Sequence, residues 1–165
     1  MTYVASGWPV HAPMPRGGPK NAHNVKLANK LKMELLAGVP LFAGLSKRHL
    51  QEVARGCMSR RWPADCCVVP EDTKSQVCYI IVDGTVDVRR HGHTIAQLGP
   101  GEFFGEIALF DPGPRSATVT TTSEMTSVEL SRQSFLAVAG DNPAILLRML
   151  EALAKRLRET TGKLP

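Results

Sequence analysis

Val77-Cys78-Tyr79-Ile80-Ile81-Val82-Asp83-Gly84-Thr85-Val86-Asp87-Val88 reads as two β-strands around a turn, and this stretch decides the fold class. Tyr, Ile and Val dominate it, the residue types that suit a pleated, half-buried surface. Asp83-Gly84 stands between the halves as a pair that tolerates positive φ at both positions, so the spacing predicts a two-residue hairpin. Working outward, the extended period holds over 57–130, in segments of about four to six residues separated by turn signals at His91-Gly92 and Gly99-Pro100-Gly101. Thr118-Val119-Thr120-Thr121-Thr122 is β-branched throughout, and Met125 to Leu130 follows after a polar break. Short strands in such succession predict a mainly β fold with flanking helices, an antiparallel jelly-roll barrel.

On the N-terminal side the period is helical. Leu27, Leu31, Leu35 and Leu36 share a face, and Gly38 with Pro40 ends the run. Ser46 can cap a second helix, with Leu50 and Val53 inward and Gly56 at its close. On the C-terminal side a short helix starts at Ser131 or Arg132 and ends at Gly140. Asn142 and Pro143 offer a cap and a first-turn proline for a long helix reaching Thr161. Leu146, Leu150, Leu153, Leu157, Thr160 and Leu164 step by four and three alternately, the seam of a two-helix contact. A homodimer through residues 146–164 is one reading, and an intramolecular core is the other. Ile145, Met149 and Ala152 form a second stripe suited to the barrel. Residues 1–24, with Pro9, Pro13, Pro15, Pro19 and three glycines but no apolar period, read as a flexible basic arm. The expected organisation is this arm followed by a single domain over 25–165, with helices in 25–56, the barrel in 57–130 and C-terminal helices in 131–161.

A chain of 165 residues is the length of one ordinary domain, and 43% apolar against 21% charged residues excludes disorder throughout. No apolar run approaches the ~20 residues that a bilayer crossing needs, and no continuous apolar signal core opens the chain. A cytoplasmic protein without a membrane segment is therefore expected. The net charge of +5 sits in Arg16, Lys20, Lys26, Lys30 and Lys32, all ahead of Glu34, the first acid. Beyond them the signs balance, so the body lacks the global basic field of a nucleic-acid binder. Cys57, Cys66, Cys67 and Cys78 fit no zinc spacing, and buried thiols without a disulfide are expected.

The chemistry is concentrated in Gly99-Pro-Gly-Glu-Phe-Phe-Gly-Glu-Ile-Ala-Leu-Phe-Asp-Pro-Gly-Pro-Arg-Ser-Ala117. Gly105 allows a close backbone approach, and Glu106-Ile107-Ala108-Leu109 can form one helical turn whose amide hydrogens point at an anion. Arg115 can return to that anion with a forked, charge-assisted pair, and Ser116 can add a hydroxyl donor. A carboxylate beside a phosphate is unfavourable unless a donor takes its lone pairs, so Glu106 points to a sugar hydroxyl and the guest to a nucleotide. Ile107, Leu109 and Phe110 are expected to anchor the turn in the barrel.

Phe104-Gly-Glu-Ile-Ala-Leu-Phe-Asp-Pro-Gly-Pro-Arg-Ser-Ala117 resembles the phosphate-binding cassette of the cyclic nucleotide-binding domain family, with Phe-Gly-Glu, Ala-Leu and Arg-Ser-Ala at the family's spacing. The resemblance spans about residues 35 to 161, taking in Val39-Pro-Leu-Phe, Gly44-Leu-Ser and Tyr79-Ile-Ile-Val-Asp-Gly-Thr-Val86, and is strongest to the bacterial cyclic AMP receptor branch. It implies a ligand sensor rather than an enzyme, binding cyclic AMP or cyclic GMP with no cofactor. Glu106 would accept the ribose 2′-hydroxyl, and Arg115 would pair with the exocyclic phosphate oxygen. The amides of Gly105 and Ala108 and the Ser116 hydroxyl would complete the cradle, flanked by Ile107 and Ala117. Thr160 and Thr161 occupy the places of two hydroxyl residues that reach the adenine, one within the subunit and one across a dimer.

Two departures stand out. Glu71-Asp-Thr-Lys-Ser-Gln76 lacks the glycines usual in that turn, and the chain ends at Pro165, so no DNA-reading helix-turn-helix is expected; with no membrane segment before Val25, neither is a complete channel. The downstream partner is not encoded legibly. Two other classes compete: a barrel that lost its ligand and serves as an interaction module, and a jelly-roll metalloenzyme suggested by His91-Gly92-His93. Against the latter, Gln97 stands where a carboxylate ligand is wanted, and His-Gly also makes a good turn.

Overall fold

The computed structural model describes residues 22–39, 42 and 44–162, except the side chains of Met149, Ala152, Arg156 and Thr160. In chain order the elements are β1 (His23–Asn24), α1 (Asn29–Gly38), α2 (Lys47–Gly56), β2 (Cys57–Trp62), β3 (Cys67–Val69), β4 (Val77–Asp83), β5 (Val86–Arg90), β6 (His93–Leu98), β7 (Phe103–Phe104), a 3-10 turn (Glu106–Leu109), β8 (Thr118–Thr121), β9 (Met125–Ser131), α3 (Arg132–Asp141) and α4 (Pro143–Thr161). Ser46 and Asn142 are caps that the sequence announces, and Ser131 is a third. Ser46 Oγ accepts from the His49 amide at 3.2 Å, Ser131 Oγ from Ser134 at 3.1 Å, and Asn142 Oδ1 from Ala144 at 3.2 Å. Each such cap contributes about 1 kcal/mol.

The strands form two antiparallel sheets, five-stranded in the order β1-β2-β9-β4-β7 and four-stranded in the order β3-β8-β5-β6. This is the expected jelly roll with flanking helices. One apolar core lies between the sheets, built on Trp62, Val68, Tyr79, Ile81, Phe104, Val119 and Met125. The other lies between the larger sheet and the helices, built on Leu36, Phe42, Val53, Ile80, Leu130, Phe135 and Ile145. Successive β4 residues alternate between them, Cys78 and Ile80 into one, Tyr79 and Ile81 into the other. That is why β4 reads as a continuous apolar run: both of its faces are buried. Burying one side chain such as Phe135 fully stabilises the fold by about 1.5–3 kcal/mol.

The Asp83-Gly84 hairpin does not form. Both edges of β4 are taken, by β9 and β7, so Asp83-Gly84 carries the chain across to the other sheet, where β5 pairs with β8 and β6. Gly84 has φ +83°, and a Cβ there would collide with the Glu124 carbonyl oxygen and lie 2.7 Å from Met125 Cα. The Asp83 carboxylate accepts from the Thr126 amide at 2.7 Å, fastening the crossing. The His91-Gly92 turn does form: both residues have positive φ and Arg90 pairs with His93 across it. Its His91 faces Glu71, with Nδ1 3.4 Å from the carboxylate.

At the N-terminus, His23–Asn24 pair with Arg61 and Arg60, so the sheet begins inside the stretch read as an arm, and α1 starts at Asn29. Residues 1–21 lie outside the described residues. All four cysteines are thiols, Cys57, Cys66 and Cys78 buried. Burial pushes Cys57 up to about 12 and Cys67 up to about 11. On α4, Ile145 is fully buried, as its stripe predicts, while Leu146, Leu147, Leu150 and Leu157 are exposed. The Met149 and Ala152 side chains and Leu164 lie outside the described residues. Among the described residues no helix is long and apolar enough to cross a membrane.

Candidate functional site

β7 runs beside β4, with Phe104 opposite Tyr79, and ends where Gly105 enters the left-handed region at φ +77°. A left-handed residue at that point lets the chain turn directly into the 3-10 turn Glu106–Leu109. The turn is closed by bonds from the Ala108 amide to the Gly105 carbonyl at 3.3 Å and from the Phe110 amide to the Ile107 carbonyl at 3.0 Å. Glu106 is buried in its first residue, where the positive end of the turn favours an acid.

Arg115 reaches this turn from the following loop. Asp111 Oδ1 accepts from the Gly113 amide at 2.9 Å, bending the chain. The Arg115 amide then donates to the Thr73 carbonyl at 2.8 Å, and its own carbonyl accepts from Asp72 at 2.9 Å. Asp72, at φ +64°, takes the left-handed turn position in the glycine-free stretch 71–76. With its backbone pinned, the Arg115 side chain runs inward and is buried. Nη1 donates to the Gly105 carbonyl at 3.1 Å and Nη2 to the Val77 carbonyl at 2.6 Å. Cζ sits 6.0 Å from the centre of the Tyr79 ring, itself stacked on Phe104 at 4.9 Å. Nε is buried with no hydrogen-bond partner among the described residues. Burial lowers the Arg115 pKa, and Tyr79, Cys78 and Glu106 oppose that shift. A guanidinium stays charged at neutral pH regardless. The outcome is a buried cation with donor capacity to spare.

The fold thus brings together Gly105, Glu106, Ala108 and Arg115. Ser116 is exposed at the edge of this group and Ala117 is half-buried. Leu109 is fully buried and Phe110 packs edge-on against Phe135 at 5.5 Å, both as expected of anchors. Ile107 does not anchor: it is 48% exposed. In a 3-10 turn successive side chains point about 120° apart, so Leu109 and Ile107 cannot both face the core. Thr161 is exposed and its hydroxyl donates to the Leu157 carbonyl at 2.8 Å within α4. The Thr160 side chain lies outside the described residues. Sequence reasoning missed Val77 and Thr73, which act through backbone carbonyls that residue identity does not reveal, and Tyr79, whose place under the guanidinium depends on sheet pairing.

The family model described as "Cyclic nucleotide-binding domain" matches residues 59–142, just over half of the chain. The chain belongs to the cyclic nucleotide-binding domain family. The matched residues contain both sheets of this cyclic nucleotide-binding domain from β2 onward, the Gly105 turn, Arg115 and α3; α4 lies beyond them. Among similar proteins, the CRP-like cAMP-activated global transcriptional regulator of Mycobacterium tuberculosis is 30% identical, over 79% of this chain and 61% of its own length. A cyclic nucleotide-gated potassium channel of Rhizobium etli is 33% identical, over 80% of this chain and 36% of its own. The crystal structure of the Thermus thermophilus catabolite activator protein superposes with a TM-score of 0.68 at 31% identity, covering 74% of this chain and 60% of that one. The chain therefore spans about three fifths of the length of the regulators it matches and about a third of the channel.

Proposed function

We propose that this domain is a cyclic nucleotide sensor, with cyclic AMP as its ligand, which converts occupancy of the Gly105–Ala117 segment into movement of α3 and α4. The observation that carries the reading is Arg115: a buried guanidinium, held at the mouth of a turn, whose Nε lacks a hydrogen-bond partner among the described residues. A buried donor left unmatched is costly, and a monoanionic cyclic phosphate repays it with a charge-assisted bond. In this reading Arg115 pairs with the exocyclic oxygen and Glu106 accepts the ribose 2′-hydroxyl. The Gly105 amide and the Ser116 hydroxyl add donors. The Ala108 amide exchanges its long 3.3 Å bond for a phosphate oxygen.

Thr160 and Thr161 supply adenine contacts when α4 closes over the base, and Thr161 gives up its bond to Leu157 in doing so. A second copy of the chain packs along residues 146–164, a reading supported by the exposed Leu146, Leu150 and Leu157. The chain binds its nucleotide without turning it over. That a similar regulator is named for activation by cAMP and a similar channel for gating by cyclic nucleotides agrees with this assignment.

A melting scan with cyclic AMP, cyclic GMP and AMP tests it. At a hundredfold excess over Kd, binding adds about 2.7 kcal/mol and raises the midpoint by roughly 5 to 10 °C. Cyclic AMP is expected to give the largest shift and AMP none. The same midpoint with all three at millimolar concentration would instead mark a ligand-free interaction module.

A further inference from the structure

Arg132 is the first residue of α3, where a cation opposes the helix dipole and where α3 has no acid in its first turn. Its side chain leaves that unfavourable end and runs to the opposite kind of terminus. Nη1 donates to the carbonyls of both Leu109, at 3.1 Å, and Phe110, at 2.9 Å, at the C-terminal end of the 3-10 turn. The two arginines therefore grip the same turn at its two ends, Arg115 on the Gly105 carbonyl and Arg132 on the Leu109 and Phe110 carbonyls. They are also tied to consecutive residues at the start of β4: the Arg132 amide donates at 2.8 Å to the carbonyl of Gln76, which precedes the strand, and Arg115 Nη2 to that of Val77, which opens it.

We propose that Arg132 is the positioning residue that makes α3, and α4 behind it, follow the nucleotide-binding turn; the inference rests on the sensor reading given above. The physical reason lies in the difference between the two kinds of contact joining the turn to α3. Leu109 and Phe110 meet Phe135 through buried apolar surfaces, whose attraction depends on area and fit and carries little directional preference. Hydrogen bonds from one guanidinium nitrogen to two carbonyls are directional and cannot slide. When an anion competes for Arg115 and the turn shifts, the Arg132 bonds must break or α3 must move with it. Arg132 touches no ligand in this scheme.

The test uses the whole 165-residue chain, with calorimetry for affinity and hydrogen exchange for response. In the wild-type protein, cyclic AMP is expected to change exchange both in the turn, residues 105–110, and in α3 and α4. Arg132→Met, which keeps the apolar stem but no donor, is expected to retain the change in the turn and lose at least four fifths of that in the helices. Its cyclic AMP affinity stays within threefold of wild type or tightens, because an uncoupled turn no longer works against the helices. A merely structural role would weaken affinity instead, so a tenfold loss overturns the proposal, as does a helix response equal to wild type. Arg132→Gln keeps a nitrogen with two N–H donors, but on a side chain two atoms too short to reach both carbonyls, so it is expected to restore part of the response at most; it decides the matter if the methionine variant does not fold, and a full response from that shorter reach overturns the proposal. Failure of the wild-type chain to bind cyclic AMP at all sinks the sensor reading itself, and is seen before any variant is made.

Discussion

A Cβ on Gly105 would stand 2.6 Å from Nη1 of Arg115 and 3.0 Å from the Val77 carbonyl oxygen. The glycine and the arginine therefore occupy one space, and the guanidinium can lie in the site only because residue 105 has no side chain. Gly105→Ala also places a side chain at φ +77°, which costs about 1–3 kcal/mol. We expect a loss of that size in urea denaturation and at least a tenfold loss of cyclic AMP affinity by calorimetry, because Arg115 must withdraw. A variant that binds as wild type would show that Arg115 need not sit where it does.

Arg115→Ala removes a charge-assisted bond worth about 1.5–3 kcal/mol, so cyclic AMP affinity should fall by roughly one to two decades. Arg115→Lys should not rescue it. One ammonium cannot reach the Gly105 and Val77 carbonyls and a phosphate together from a single point. Titration calorimetry on both variants, alongside melts to show that they fold, reads the result; wild-type affinity in the lysine variant would contradict the forked geometry.

Gly84→Ala tests the crossing between sheets rather than the site. Its Cβ would meet backbone atoms of Glu124 and Met125, which cannot swing aside as a side chain can, and φ there is +83°. A loss of about 3 kcal/mol or more is expected, lowering the melting midpoint by roughly 6 °C or more. A turn in an ordinary hairpin would lose far less, so a drop of one or two degrees would argue against the observed sheet order.

Alkaline pH should destabilise the fold. Burial holds the Cys57 thiol near 12, against an ordinary 9.0, with Lys32 opposing weakly. The folded chain thus keeps a proton that the unfolded chain releases. Stability is undiminished below pH 9 and falls as pH rises from 9 toward 12, by about 1.4 kcal/mol per unit for this group. Urea midpoints measured from pH 8 to 10.5 should decline over that window, and Cys57→Ala should flatten the decline whatever it does to stability at pH 8. An equal slope in the variant would clear Cys57 of the effect.

Much of this molecule is legible in local sequence. Ser46, Ser131 and Asn142 are helix caps because their short side chains can reach an amide two or three residues on, and this needs no partner from elsewhere. His91-Gly92 makes its turn for the same reason, since positive φ is a property of those residues themselves. That Gly105, Glu106 and Arg115 belong to one group is equally readable, because a glycine, an acid and an arginine at that spacing are what an anion site would call for.

Sheet membership was decided only by the tertiary structure. Asp83-Gly84 has the composition of a hairpin, yet β9 and β7 already occupy both edges of β4, and which strand wins an edge depends on residues 23 to 54 positions away. The same holds for Ile107, an apolar residue turned outward by the pitch of a 3-10 turn, and for Arg132, a cation written at the start of one helix that acts at the end of another. Amino-acid type states what a side chain can do, and only the path of the whole backbone settles which groups it meets.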